Sequence, residues 1–151
     1  MGTILNWHDL NSTVQRLKAE GKKIVFTNGC FDIIHIGHIR SLKEAKKLGN
    51  VLVVGLNSDR SVSLIKPQRP IIPHDQRAEV LASLETVDYV AIFDEETPYE
   101  LIKLLQPDVL VKGGDWEKED IVGSDIAKET LSIPYIQGVS TTEIIEKIKK
   151  L

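Results

Sequence analysis

Two histidines, His35 and His38, flank Gly37 in the segment Gly29-Cys30-Phe31-Asp32-Ile33-Ile34-His35-Ile36-Gly37-His38. Imidazoles three residues apart can project from one side of a helix's first turn, where free N–H groups and the positive end of the helix dipole attract anions. Their nitrogens can donate to phosphate oxygens, more strongly when protonated. Gly29 and Gly37 would let the backbone approach a ligand closely. Two other readings compete: rings that only cap the turn, and ligands of a zinc ion. Zinc wants three or four ligands, and the other two histidines, His8 and His74, stand in poor contexts. The single Cys30 rules out a CxxC set within one chain. The density of Gly-x-Phe-Asp-x-x-His-x-Gly-His favours phosphate handling. Phe31 is then core packing, Asp32 caps or orients the turn, and no metal-ligand set is expected in the protein.

These residues need a scaffold, and the pattern around them supplies one. Leu10, Val14 and Leu17 lie at helical spacing and are stopped by Gly21. "KIVFTN" reads as a strand, followed by the glycine-bearing turn and a helix over about residues 37 to 48, with Ile39, Leu42, Ala45 and Leu48 as its apolar stripe. "VLVVGLN" is nearly continuous apolar sequence, as expected of a strand covered on both faces. A polar, proline-punctuated loop, "SLIKPQRPIIPHDQR", leads into a helix carrying Ala78, Leu81 and Leu84. "YVAIF" is a strand. "TPYELIKLL" predicts a helix with Thr97 as N-cap, Pro98 in the first helical position and Glu100 completing a capping box. "DVLVKGGDW" runs from a strand into two glycines. A weaker helix is predicted near "SDIAKETL", a short strand near "IPYI", and a last helix from Ser140.

Alternating strands and helices imply one α/β domain over residues 1–151, doubly wound and Rossmann-like, with a parallel sheet of about five strands. Ligands of such sheets sit beyond the carboxyl ends of the strands. That rule brings in Asn28, Asn57, Asp59, Lys112, Gly113, Asp115 and the turn Ser140-Thr141-Thr142, whose Glu143 completes a capping box. Lys66, Arg69 and Arg77, on the proline-rich loop and the helix after it, add positive charge; for Lys66 and Arg69 a solvated basic face competes with a site role.

A net charge of −3 argues against a nucleic-acid surface. No apolar run approaches the roughly 20 residues of a membrane span, and the N-terminus does not read as a signal peptide. One unpaired thiol suits a reduced, cytoplasmic setting. Neither GxxxxGK[ST] nor GxGxxG occurs, which argues against standard NTPase and dinucleotide sites.

"GCFDIIHIGH" resembles the HxGH signature of the nucleotidyltransferase superfamily, which includes cytidylyltransferases, phosphopantetheine adenylyltransferase and class I aminoacyl-tRNA synthetases. "TNGCFD", "GLNSD", "KPQRPIIP", "LVKGGDW" and "STTEII" extend the resemblance, over about residues 22 to 150, to the adenylyltransferase domain of bacterial heptose-phosphate enzymes. Glycerol-3-phosphate cytidylyltransferase typically has Tyr and Thr where this chain has Asn28 and Cys30, and Arg-Thr-Glu-Gly where it reads "YIQG".

The resemblance implies transfer of AMP from ATP to D-glycero-D-manno-heptose 1-phosphate, giving ADP-heptose and pyrophosphate, with Mg2+ accompanying the triphosphate and no covalent enzyme intermediate. It implies His35, His38, Arg77 and Lys112 as catalytic residues. Asn28, Gly29, Cys30, Phe31, Gly37, Gly113, Asp115, Ser140, Thr141 and Thr142 would bind nucleotide with them. Asp32, Asn57, Asp59, Lys66 and Arg69 would hold the sugar phosphate. It further implies a separate heptose kinase upstream, a homodimer, and a product used for lipopolysaccharide or a related heptose glycan. A cytidylyltransferase acting on glycerol 3-phosphate, another sugar-phosphate nucleotidyltransferase, or a non-catalytic nucleotide-binding regulator are the rival readings.

Overall fold

The computed structural model describes all of residues 1–151. The elements are β1 (Thr3–Ile4), α1 (Trp7–Ala19), β2 (Ile24–Gly29), α2 (Ile36–Lys46), β3 (Val51–Asn57), α3 (Asp59–Ile65), α4 (His74–Ala82), β4 (Tyr89–Phe93), α5 (Tyr99–Leu105), β5 (Val109–Gly113), β6 (Glu129–Ile133) and α6 (Thr141–Lys149), with a single 3-10 turn at Lys118–Asp120. All six strands are parallel, in the order β1-β4-β3-β2-β5-β6.

Strand side chains alternate between two cores. Val25, Leu52, Val54, Leu56, Val90 and Val109 pack with Leu42, Ala45, Ala78 and Leu81 of α2 and α4. Ile24, Phe26, Val53, Ala91 and Phe93 pack with Leu10 and Val14 of α1 and Leu101, Ile102 and Leu105 of α5. Both faces are covered, so all seven residues of β3 are buried, and the strand reads as an apolar run rather than an alternation. Close packing allows little at Gly55, where an added Cβ would lie 2.6 Å from Cζ of Phe26.

From β2 the chain runs to β3 on one side, and later returns through α5 to β5 on the other side. The strand order reverses around β2, the position where doubly wound sheets open a crevice. Thr27 Oγ1 donates to Val111 O at 2.9 Å and stitches β2 to β5 at that crevice.

Four local expectations are corrected. Ser63, Leu64 and Ile65 belong to α3, because Ser58 caps that helix through Ser61 N. Thr97 does not cap α5: its hydroxyl lies 3.5 Å from Tyr99 N, Pro98 occupies the cap position, and Glu100 forms no capping box. No helix forms near "SDIAKETL". The Ser124 hydroxyl points back to Glu119 O instead of forward to a first turn, Asp125 accepts from the Tyr99 hydroxyl, and Glu129–Ile133 pairs with β5 as β6. The strand expected near "IPYI" therefore falls earlier. The sixth strand is the two-residue β1, too short to show a period.

Candidate active site

A cavity of about 810 Å³ opens at the carboxyl ends of the strands. Asn28, Gly29, Cys30, Phe31, Asp32, His35, Gly37 and His38 line it from β2 and the start of α2, Asn57 from β3, Lys112 and Gly113 from β5, and Ser140, Thr141 and Thr142 from the start of α6. Lys66 and Arg69 reach it from the loop after α3.

His35 is the N-cap of α2, and its Nδ1 accepts from Gly37 N at 3.1 Å. Nδ1 of His38 accepts from His35 N at 3.3 Å. The rings stack with centroids 3.9 Å apart, and Phe31, held at φ 46°, packs its ring on His38 at 5.1 Å. Gly37 is required by this stack, since a Cβ there would stand 2.9 Å from Cε1 of His35. The capping role is therefore real and does not compete with a ligand role. With both Nδ1 atoms accepting from backbone, the neutral rings carry their proton on Nε2, which stays available as a donor.

Burial lowers the pKa of His35, and burial, then His35, then Lys66 lowers that of His38 to about 4. Both rings are thus neutral donors near pH 7. Burial also lowers the pKa of the Lys112 ammonium, with Cys30 opposing and Lys66 reinforcing the shift. Lys66 thus disfavours a positive charge on His38 and shares a like-charge arrangement with Lys112 that an incoming anion relieves.

The start of α6 is fixed to the same place. Thr141 Oγ1 donates to Ile33 O at 3.1 Å, and Ser140 Oγ accepts from Glu143 N at 3.1 Å. Glu143 returns its carboxylate to the Ser140 hydroxyl at 3.2 Å. Two helix N-termini therefore converge on the cavity.

Three expected contacts lie outside the cavity wall. Arg77 is 1% exposed. Its guanidinium donates to Ile72 O (2.7 Å), Cys30 O (2.5 Å), Asn57 O (2.9 Å) and Asp59 Oδ1 (2.9 Å). It ties the β2 end, the β3 end and the loop before α4 together and is not part of the cavity wall. Asp59 is spent on Arg77, and its backbone N–H donates to Nδ1 of His74. Asp115 is exposed away from the wall. Asp32 is at the wall, but its carboxylate is committed. It accepts from Ile71 N, Ile72 N and Arg69 Nε at 2.8 to 2.9 Å. Burial opposes its ionisation, yet the Ile72 and Ile71 N–H groups and Arg69 outweigh it and hold the pKa below the usual carboxylate value. Asp32 therefore anchors the loop that carries Lys66 and Arg69.

Sequence reasoning missed Tyr135, Glu96, Thr97 and Asp120, all on the wall. Tyr135 is 71% exposed. Gly114 (φ 111°) leaves room for its ring and for Trp116, since a Cβ there would meet Tyr135 Cε2 at 2.8 Å and Trp116 Nε1 at 3.0 Å. A large aromatic just past a strand end was the signal that could have found it.

Residues 26–147 match the sequence profile of the cytidylyltransferase-like family. The chain belongs to that family. It is 54% identical to the bifunctional protein HldE of a Nitratiruptor species, over 97% of this chain and 32% of that protein. It is 52% identical to HldE of Helicobacter pylori, over 93% and 31%. The chain thus spans roughly a third of the length of these curated relatives. Among solved structures it is similar to a lipopolysaccharide core biosynthesis protein from Thermoplasma volcanium (TM-score 0.67, 29% identity, 78% of this chain and all of that one). A pantoate-beta-alanine ligase from Francisella tularensis shares the fold (TM-score 0.64, 18% identity, all of this chain and 79% of that one).

Proposed function

We propose that the chain is the adenylyltransferase that joins ATP and D-glycero-beta-D-manno-heptose 1-phosphate into ADP-heptose and pyrophosphate. The observation that carries the reaction class is the convergence of unspent N–H donors on one cavity: His35 and His38 through Nε2, Lys66, Lys112, and the first turns of α2 and α6. The identity with HldE across nearly the whole chain supports the heptose acceptor.

In this reading an oxygen of the sugar phosphate attacks the α-phosphorus of ATP, forming a new P–O bond, and the bond to pyrophosphate breaks in line with it. Charge grows on oxygens, and the fixed donors meet it without reorganising. Each such donor is worth about 2.7–4 kcal/mol, so several together reach the roughly 8 kcal/mol at the low end of enzymatic acceleration. No group of three His, Cys, Asp or Glu side chains is set to hold a metal. Magnesium enters this scheme as the ATP complex, the ion arriving with the triphosphate. Cys30 forms no covalent bond in this scheme. We place the reaction in the cytoplasm, in a homodimer, with the heptose kinase step supplied outside these 151 residues.

The test is pyrophosphate release across a panel of nucleotides and phosphate esters. Turnover is expected with magnesium, ATP and heptose 1-phosphate. Equal or better turnover with CTP and glycerol 3-phosphate overturns the heptose assignment. Tight nucleotide binding without turnover on any pair favours a regulatory module.

A further inference from the structure

The histidines and helix ends of the cavity answer to phosphates, yet part of its wall is aromatic. Trp116 follows β5, Tyr135 follows β6, and both line the cavity. Both rings rest on backbone. A Cβ built on Gly114 would stand 2.8 Å from Cε2 and 3.0 Å from Cζ of Tyr135, and 3.0 Å from Nε1 of Trp116. A Cβ on Gly113 would lie 3.6 Å from Cε1 of Tyr135. The tyrosine ring therefore lies across the end of β5, where two glycines make room for it. Trp116 Nε1 donates to Gly113 O at 3.1 Å, which pins the indole to the same strand end.

The rings are placed but not covered. Tyr135 remains 71% exposed and Trp116 46% exposed. Positioned aromatic faces on a cavity wall suit a flat ligand that stacks on them. The segment that carries Tyr135 also reaches the phosphate end. Four residues on, Val139 Cγ1 would lie 3.6 Å from a Cβ on Gly37, and α6 begins two residues later. Lys112 stands between the two ends: it lies on β5 beside β2, and its Nζ is 5.8 Å from the centre of the Trp116 ring. A ligand that fits this order is anionic at one end and a flat ring at the other.

We infer that Tyr135 and Trp116 form a stacking platform for the nucleobase, and that Tyr135 favours a purine over a pyrimidine. The inference rests on the proposed nucleotidyltransferase reading, and it adds the residues that hold the base. A bicyclic base covers more of two adjacent rings than a monocyclic one, so contact area favours ATP over CTP. Stacking needs no hydrogen-bond pattern from the side chains.

The experiment is calorimetric titration, without acceptor, of the unaltered protein, Tyr135→Ala and Tyr135→Phe. The ligands are the magnesium complexes of ATP and CTP, and inorganic tripolyphosphate. Losing one stacking ring should weaken ATP binding at least about fivefold. CTP should lose less, so the preference for ATP shrinks. Tripolyphosphate should bind the alanine variant as it binds the unaltered protein. Tyr135→Phe, which keeps the ring, should keep the ATP affinity. Because Tyr135 is largely exposed, the alanine variant should also keep its melting temperature. An unchanged Kd for ATP in Tyr135→Ala overturns the inference. So does an equal loss for tripolyphosphate, which would assign Tyr135 to the phosphate end. A phenylalanine variant as weak as the alanine one also overturns it, because the hydroxyl and not the ring would then make the contact. If the unaltered protein binds neither nucleotide, the proposed function falls and this inference with it. ATP binding that ignores Tyr135 sinks this inference alone.

Discussion

Each histidine of the pair uses its two ring nitrogens differently. Nδ1 holds the backbone turn, while Nε2 is left for the ligand. Substitutions can separate these uses at position 38. Asparagine places a polar atom near Nδ1, and glutamine reaches toward Nε2. His38→Asn should therefore keep the cap and the melting temperature but lose at least about a hundredfold in rate. His38→Gln should retain more activity, and His38→Ala should lose both rate and about 1 kcal/mol of stability. Equal rates for the asparagine variant and the unaltered protein would remove the phosphate role. The pH behaviour follows from the lowered pKa. Free His38 holds its proton only below about pH 4, whereas the unfolded side chain takes one near 6.5. Unfolding binds the extra proton between those values, so stability falls as pH drops from 6.5 through 4, by about 3 kcal/mol at most. An anion raises the ring's pKa, so ATP binding near pH 5 should take up protons. Calorimetry in two buffers of different ionisation enthalpy measures that uptake directly.

At the scale of elements, two buried side chains hold the segments around the cavity. Arg77 joins the β2 end, the β3 end and the loop before α4 through three carbonyls and Asp59. Arg77→Met should destabilise the fold by about 3–5 kcal/mol, because it strips partners from buried acceptors. Denaturant titration would show it, and unchanged stability with lost activity would return Arg77 to the phosphates. Asp32 anchors residues 69–72. Asp32→Asn should loosen that loop, seen as faster proteolysis within it and a higher KM for the sugar phosphate. These roles were not legible in the sequence. His35, Gly37 and His38 act within one turn, so their spacing displays the geometry, and the apolar runs of β2 to β5 display a covered sheet. The partners of Arg77 and Asp32 are mostly backbone groups from distant segments, which no side-chain pattern records. The segment 124–131 misled for a related reason: Ala127 and Leu131 stand four apart, as on one face of a helix, but strand pairing with β5 decides the fate of Glu129–Ile133.

For the whole molecule, the site is a device for storing binding free energy in the fold. A ligand at about a hundred times its Kd stabilises the native state by about 2.7 kcal/mol. In a chain of this size that raises Tm by roughly 5–10 °C. ATP should give the larger shift and CTP the smaller, a comparison that reads base preference without any acceptor. An equal shift with both nucleotides would leave base choice to the chemical step.

The hydrogen bond from Thr141 to Ile33 spans 108 residues of sequence. Its consequence lies in time rather than space. Closing so long a loop has a high entropic cost and comes after local structure. During synthesis the two-sided sheet can collapse before α6 exists, but the anion site has only one of its two helix ends until α6 docks. In the proposed reading, competence to hold a triphosphate is therefore a late event, and nucleotide binding would report that α6 has docked.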